Sequence, residues 1–389
     1  MKAIRPLHPR NPSEHHRPST TLELLFDLIS VIAIAAVTAG LHHAISEGHG
    51  LEALPRFIFL FLAIWWAWMN YTWFASAFDN DDGLYRVLVL VIMGGALIFA
   101  GGADYIFKTL DFSYGLYGWI IMRLGMIALW LRAAAGSVEH RTTALRYAAG
   151  IAVAQAGWSA FYFMTEPGST GFFIAGSLCF AVEFAVPLIA ERAHVTSFHR
   201  THMIERYGPL MIISLGELML SISHGFGLLF SDHPTFEAAL TAASALVVVF
   251  ALWWIYFCEE DHMANSEFST AFQWGYGHVF IFGATALVGA AIAAEVDVSA
   301  HHAETTQEVV GHYMGFGLAI IYAMLWAVRD RLLSVPGNKA YALLVMAGLF
   351  AIGGYTGLST WGFALLSIIA VLWRAPVTGR AEPVAKHLH

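Results

Sequence analysis

HMIERYGPLMIISLGELML, from His202 to Leu220, is the stretch that decides what kind of chain this is. It begins polar and charged, turns apolar at Leu210, and then places a carboxylate, Glu217, inside the apolar run. At ~1.5 Å rise per residue, Glu217 lies roughly 15 Å below the polar entry at Tyr207, close to the middle of a ~30 Å hydrocarbon core. An ionisable group at that depth is costly, which makes it a candidate for function.

The composition extends this reading to the whole molecule. A chain of 389 residues that is 58% hydrophobic and only 12% charged does not suit a soluble protein, and predicts an all-α polytopic membrane protein. The net charge of -8 resides in short loops, so the sidedness of the charges carries more information than their sum. Cys179 and Cys258 both sit in apolar runs and are expected to be buried free thiols.

Residues 1–20 are polar, with Lys2, Arg5, Arg10 and Arg17, and contain no apolar segment followed by a cleavage site. They read as a cytoplasmic N-terminal tail rather than a signal peptide. Apolar spans follow at about 22–42, 56–77, 86–107, 116–135, 145–164 and 171–190. Six more follow at about 207–230, 238–258, 275–295, 309–328, 339–354 and 358–374, the last two divided near Gly357, before a cytoplasmic tail over 375–389. With the amino terminus inside, roughly seventeen of the 20 basic residues fall on the cytoplasmic side of a bacterial inner membrane. Arg56 and Lys108 fall outside, and Arg123 lies within a span.

The two halves are similar in order. Glu23-Leu-Leu-Phe-Asp opens the first span and Glu205-Arg-Tyr-Gly-Pro the seventh; Trp65-Trp66 corresponds to Trp253-Trp254, and Leu129-Trp130 to Leu325-Trp326. A common offset of about 180–200 residues predicts two parallel six-helix repeats, over 21–192 and 193–374, with a site at the interface between them.

LELLFDLISVIAIA, WWAWMNYTWFASAFDNDDGLYR, HMIERYGPLMIISLGELML, LWWIYF and QWGYGHVFIFG resemble the recurring motifs of the bacterial low temperature requirement protein A (LtrA) family. They occur in that family's order over about residues 20–295, and the final spans match mainly in hydropathy. Pro209 departs from the larger residue expected after the Arg-aromatic-Gly, and as a first-turn proline it would need no donated hydrogen bond. The family name records a growth phenotype and implies no reaction. The first span is also similar, more weakly, to the Phe-Ser-Asp-bearing first helix of the lysosomal potassium channel family, with Leu25-Phe26-Asp27 in place of that order.

Several residues are candidates for chemistry. Glu217, Asp27, Glu183, Arg123 and His278 are the expected ion- or substrate-binding set, and Glu23, Glu205, Arg206, Asp82 and Arg86 the expected cytoplasmic entry or gate. Glu23 and Asp27 share one helix face, where helix N-terminal carboxylates favoured by the macrodipole are the plain alternative. Glu205 and Arg206 fit either a gate latch or a helix-end ion pair with the Arg192–Arg200 loop. Arg123 needs a carboxylate partner, Glu183 or Glu217, and the pair fits a fixed bridge or a transport switch equally.

His278 can change charge near neutral pH, and Asn70 and Gln155 are expected to bond between helices. The loop Asp79, Asp81, Asp82 and Arg86 offers hard oxygen ligands to a divalent ion, but it lacks EF-hand spacing and reads rather as a polar hairpin capping the third helix. Neither His199-His202-Glu205 nor His301-His302-His312 has the spacing of a helical zinc site, and no metal or other cofactor is expected. Trp65, Trp66 and Trp254 read as aromatic-belt anchors and packing residues, and Gly94-Gly95, Gly101-Gly102, Gly283 and Gly289 as points of close helix approach.

The sequence therefore points to a secondary transporter or channel for an ion or small solute. Its loops are too short for a soluble catalytic domain, and it has no phosphate-binding loop. No nucleophile and base stand out, so an intramembrane lipid-modifying enzyme is the weaker option and no catalytic residue is expected. A structural or sensory membrane protein supporting growth in the cold is the alternative. The expected partners are the lipid bilayer and the transported ion or solute, with a homo-oligomer left open and no nucleic acid.

Overall fold

A computed structural model describes residues 5–10, 18–227, 236–259, 268–333, 335 and 337–374. The rest of the two expected tails, 1–4, 11–17 and 375–389, lies outside the described residues, as does Asp261 of the acidic loop after the eighth expected span. Helices α1 (Thr21–Ser46), α2 (Gly50–Ala77), α3 (Gly83–Gly101), α4 (Ala103–Thr109), α5 (Ser113–Gly136), α6 (Arg141–Met164) and α7 (Thr170–Ala190) come first. They are followed by α8 (Arg200–Gly227), α9 (Phe236–Phe257), α10 (Phe268–Ser299), α11 (Gln307–Leu325), α12 (Ala342–Tyr355) and α13 (Thr360–Arg374).

With α3 and α4 counted as one segment, twelve helical segments stand where twelve spans are expected. Nine, counted among the described residues, are long and apolar enough to cross a membrane. The more polar α6 is not among them, and α12 and α13, at 14 and 15 residues, fall short of the ~20 needed for a full crossing.

The helix ends follow from local chemistry. Thr20 and Glu23 form a capping box on α1: the Thr20 N–H donates to Glu23 Oε2 at 2.8 Å and the Glu23 N–H to Thr20 Oγ1 at 3.2 Å. Asp82, Ser169 and Thr306 cap α3, α7 and α11 through their side-chain oxygens. The turn between α12 and α13 contains Gly357 at φ 62°, a left-handed conformation that favours glycine, close to where the sequence divides the last two spans.

Helix α8, the seventh expected span, corrects an expectation. It begins at Arg200 rather than near 207, so Pro209 lies in the helix interior and not in the first turn. A proline there cannot donate to the carbonyl four residues earlier, that of Glu205. The Ser19 hydroxyl donates to this Glu205 oxygen instead, at 3.5 Å.

By packing, the chain forms two compact units, the first of residues 1–40 and 53–213, the second of 41–52 and 214–389. This division falls within α8, whereas sequence similarity divides the chain at 192. Within the first unit α3 packs on α5, α5 on α6 and α6 on α7. Gly95 and Gly118 bring α3 and α5 into backbone contact, since a Cβ on Gly118 would stand 2.6 Å from the Gly95 carbonyl oxygen. Of the glycines expected at close approaches, Gly95 is at this contact and Gly102 faces Tyr114, while Gly94 and Gly101 meet nothing within 4 Å.

A segment over 5–10 runs across the helix ends of the first unit. Leu7 is buried against Gly136, Arg10 N–H donates to the Ala77 carbonyl at 2.8 Å, and Arg5 N–H donates to Asp82 at 2.7 Å. Asp82 also accepts from Arg132 and from the Tyr85 N–H, each at 2.7 Å. Burial acts to raise the Asp82 carboxyl, but the bonds from Arg132, Tyr85 and Arg5 outweigh it and hold the group below the usual carboxylate range.

Within the second unit α10 packs on α11, α11 on α12, α12 on α13, and α13 on α9. A π-helical turn, Trp326–Asp330, follows α11 and presents Arg329 and Asp330 inward. Arg374 spans Asp330 at 2.7 Å and Glu259 at 2.8 Å, and Arg329 donates to the Ile255 and Tyr256 carbonyls.

Candidate functional site

The first unit holds a buried ionic cluster built on three helices. From α1 come Glu23 and Asp27, four residues apart and therefore on one face; from α8 come His202 and Arg206 with the same spacing; from α2 come Trp68 and Tyr71. Glu23, Asp27, His202 and Arg206 are each at most 1% exposed. The Arg206 guanidinium grips Asp27 with two nitrogens, Nη2 to Oδ1 at 2.5 Å and Nε to Oδ2 at 3.2 Å, while Nη1 reaches Glu23 Oε1 at 3.1 Å. Trp68 Nε1–H donates to Asp27 at 2.7 Å, and His202 Nε2 lies 3.0 Å from Glu23 Oε1. Glu23 thus does two things, capping α1 with one oxygen and holding Arg206 and His202 with the other.

Of the two residues expected as a latch or helix-end pair, Arg206 is held by the carboxylates of α1. The Glu205 side chain, its neighbour in sequence, is half-buried. The planar fork of an arginine suits two carboxylates on successive turns, a geometry that a lysine's single ammonium cannot reproduce.

A second buried pair lies elsewhere in the same unit. Arg123 on α5 stands 3.1 Å from Glu183 on α7, both 1% exposed. Between the two acids open to Arg123, Glu183 is the partner. Glu183 also accepts from Trp66 Nε1–H at 2.9 Å and Trp158 Nε1–H at 3.2 Å. Of the two readings of Trp66, belt anchor or packing residue, its burial and its bond to Glu183 fit the second. Arg123 is less well served: its guanidinium lies over the Trp119 ring at 4.0 Å, and none of its three nitrogens has a hydrogen bond in good geometry among the described residues.

The remaining candidates are placed as follows. Glu217 on the distal half of α8 is half-buried and has no hydrogen bond or ion pair to a described residue. His278, buried on α10, bonds through Nδ1 to the Trp274 carbonyl of its own helix at 2.7 Å and is surrounded by Trp274, Tyr256 and Phe282. Arg86 pairs with Asp81 at 2.6 Å, both side chains more than 40% exposed, where such a pair contributes little. Asp82 is the buried cap described above. Asn70 and Gln155 bond within their own helices, to the Trp66 carbonyl and to Ser159, and not between helices as expected. His312 bonds the Gly354 carbonyl.

Residues 18–375 match the family described as bacterial low temperature requirement A protein (LtrA). The chain belongs to the LtrA family. An uncharacterized protein of Rhizobium meliloti (strain 1021), RA0937, is 23% identical over 367 residues, covering 90% of this chain and 86% of that one. No solved structure matches. An LtrA protein with this set of apolar helices is a multi-pass membrane protein in contact with the lipid bilayer. The sequence singled out Glu23, Asp27, Arg206, Arg123 and Glu183; it missed Trp68, Trp66 and Trp158 as donors, because an indole N–H leaves no trace in a hydropathy pattern.

Proposed function

We propose that this LtrA protein moves an ion or small solute across the bacterial inner membrane as a secondary transporter or channel, with Glu23, Asp27 and Arg206 as the charged gate of the path. The observation that carries this is the double grip of one guanidinium on two buried carboxylates of α1. Taking three charges out of water is costly, and hydrophobic side chains of similar size would hold the helices at least as well. Retaining them makes sense where the charges exchange partners, with a cation or a proton replacing Arg206 as α8 shifts.

The basic loops and both termini are assigned to the cytoplasmic side, which makes this cluster the cytoplasmic end of the path. The two-repeat reading is kept. In the first unit the neighbours run α3, α5, α6, α7 and then α2, which meets α7 through Trp66 and Glu183. In the second they run α10, α11, α12, α13 and then α9, the same order of span positions.

A non-transporting structural or sensory role is the second reading, favoured by how fully Asp27 is bonded. Purified protein in liposomes, under imposed proton, potassium and sodium gradients, decides between them. The expected result is a flux that Asp27→Asn abolishes with folding intact. Glu217→Gln run in parallel tests whether the half-buried acid farther along α8 is on the same path. A stable Asp27→Asn protein with wild-type flux would overturn the gate assignment.

A further inference from the structure

Glu295, one turn before the end of α10, is a buried acid in surroundings of its own kind. Glu23, Asp27, Asp82, Glu183, Glu259 and Asp330 each face an arginine. Glu295 is 1% exposed and has no ion pair to a described residue. Its partners are neutral: Gln307 Nε2 donates to Oε1 at 2.8 Å, and the Thr360 hydroxyl lies against the same carboxyl. The second oxygen, Oε2, is buried without a hydrogen bond in good geometry among the described residues.

The titratable groups of the neighbouring elements supply no cation. From α9 the acid Glu237 acts on Glu295 with like charge. On α11, Glu308 abuts Gly357 and His312 bonds the Gly354 carbonyl. On α10 itself Asp297 is held by His42 and Ser46, each at 2.7 Å, and His301, His302 and Glu304 of the following loop are exposed. The one titratable residue of α12 is the exposed Tyr355, and α13 has none before Arg374 at its far end.

A buried carboxylate among neutral donors, with another acid nearby, is costly, and binding a proton removes the charge. Two features keep such a proton exchangeable. Gln307 and Thr360 are the first residues of α11 and α13, so the positive ends of two helices lie beside the carboxyl and support the anion once the proton leaves. Helix α10 ends at Ser299, only ~6 Å of helix beyond Glu295, and in the orientation assigned above this is the outer end.

We propose that Glu295 is a reversible proton-binding site at the outer end of the second unit. Gln307 holds Oε1 as the carbonyl oxygen, which leaves Oε2 to carry the hydrogen, with the Thr360 oxygen as its acceptor. On uptake one O–H bond breaks in a hydronium ion of the outer water and one forms on Oε2; on release the proton returns to water. The inference deepens the transport reading by naming the proton as an ion taken up at the outer end. It rests on that reading only for movement; proton binding is read here without flux, so the two fail separately.

Infrared difference spectroscopy of the purified full chain in lipid, titrated from pH 6 to pH 10, tests it. Exposed glutamates, which titrate near ~4.3, are already ionised at the start. The expected spectrum contains a neutral carboxyl C=O band that disappears over about two pH units, the span of a single proton, while a carboxylate band grows. Carbon-13 labelling of glutamate is expected to move both bands, Glu295→Gln to remove them, and Thr360→Val to shift the C=O band. A Glu295 carboxyl that is ionised throughout overturns the proposal, and displacement of its band by sodium would then give the site to a metal cation. One that stays neutral to pH 10 also overturns it, leaving Glu295 a fixed structural acid. In the labelled wild type, absence of a titrating glutamate C=O band overturns it with no variant needed.

Discussion

Arg206 meets Asp27 and Glu23 at full burial, so removing its charge leaves two carboxylates with no described guanidinium between them. Arg206→Met is expected to destabilise the protein by about 3–5 kcal/mol, the usual consequence of breaking a buried pair from one side, and Arg206→Lys by less. Thermal unfolding in detergent, followed by circular dichroism, measures both. At this scale the sequence was legible in part. The i, i+4 spacing of Glu23 with Asp27, and of His202 with Arg206, shows that each pair shares a helix face. It does not show that the two faces meet, because their partners are 179 residues apart in the chain. Arg123 was readable as needing an acid, and only packing chooses Glu183.

The helices themselves were legible as runs of apolar residues, and their ends were not. Charged first turns such as Arg200–Arg206 read as loop, yet in α8 they are helical and turned inward to the carboxylates of α1. Close helix contacts were also read only halfway, since a glycine pair marks a place where helices are able to approach and not the one where they do. Gly118 is the informative position: a Cβ there meets the Gly95 carbonyl and the Phe99 backbone at 2.6 Å, whereas one on Gly94 meets nothing within 4 Å. Gly118→Ala is expected to lower stability by about 1–3 kcal/mol through forced separation of α3 and α5. Gly94→Ala is expected to be neutral or stabilising by up to about 1 kcal/mol, from helix propensity alone. The melting temperatures of the two variants, compared in one detergent, check the contrast.

For the whole molecule, acid stability has a definite sign. Asp82 ties together the 5–10 segment, α3 and α5, and its carboxyl is held below its ordinary value near 3.8. A group depressed on folding contributes stability above its unfolded pKa, and that contribution is lost as pH falls through the folded one. The wild type is therefore expected to be more stable than Asp82→Asn at pH 7, and the gap to close below about pH 4. Asparagine caps a helix about as well as aspartate, so the difference isolates the charge. Unfolding curves of the two proteins at pH 7, 5 and 3.5 provide the test. The class of the molecule was legible from composition alone, because a chain with so few charges has nowhere to put its apolar residues except lipid.

Pro209 gives the long α8 a mechanical property. An unbroken helix resists bending because each turn must stretch three or four hydrogen bonds at once, but at this level one bond is missing and its carbonyl is held loosely by Ser19. Bending there strains one bond fewer than anywhere else in the helix. The compliant turn thus runs from Glu205 to Pro209 and contains Arg206, so a flexure of α8 is concentrated where the guanidinium meets its two carboxylates.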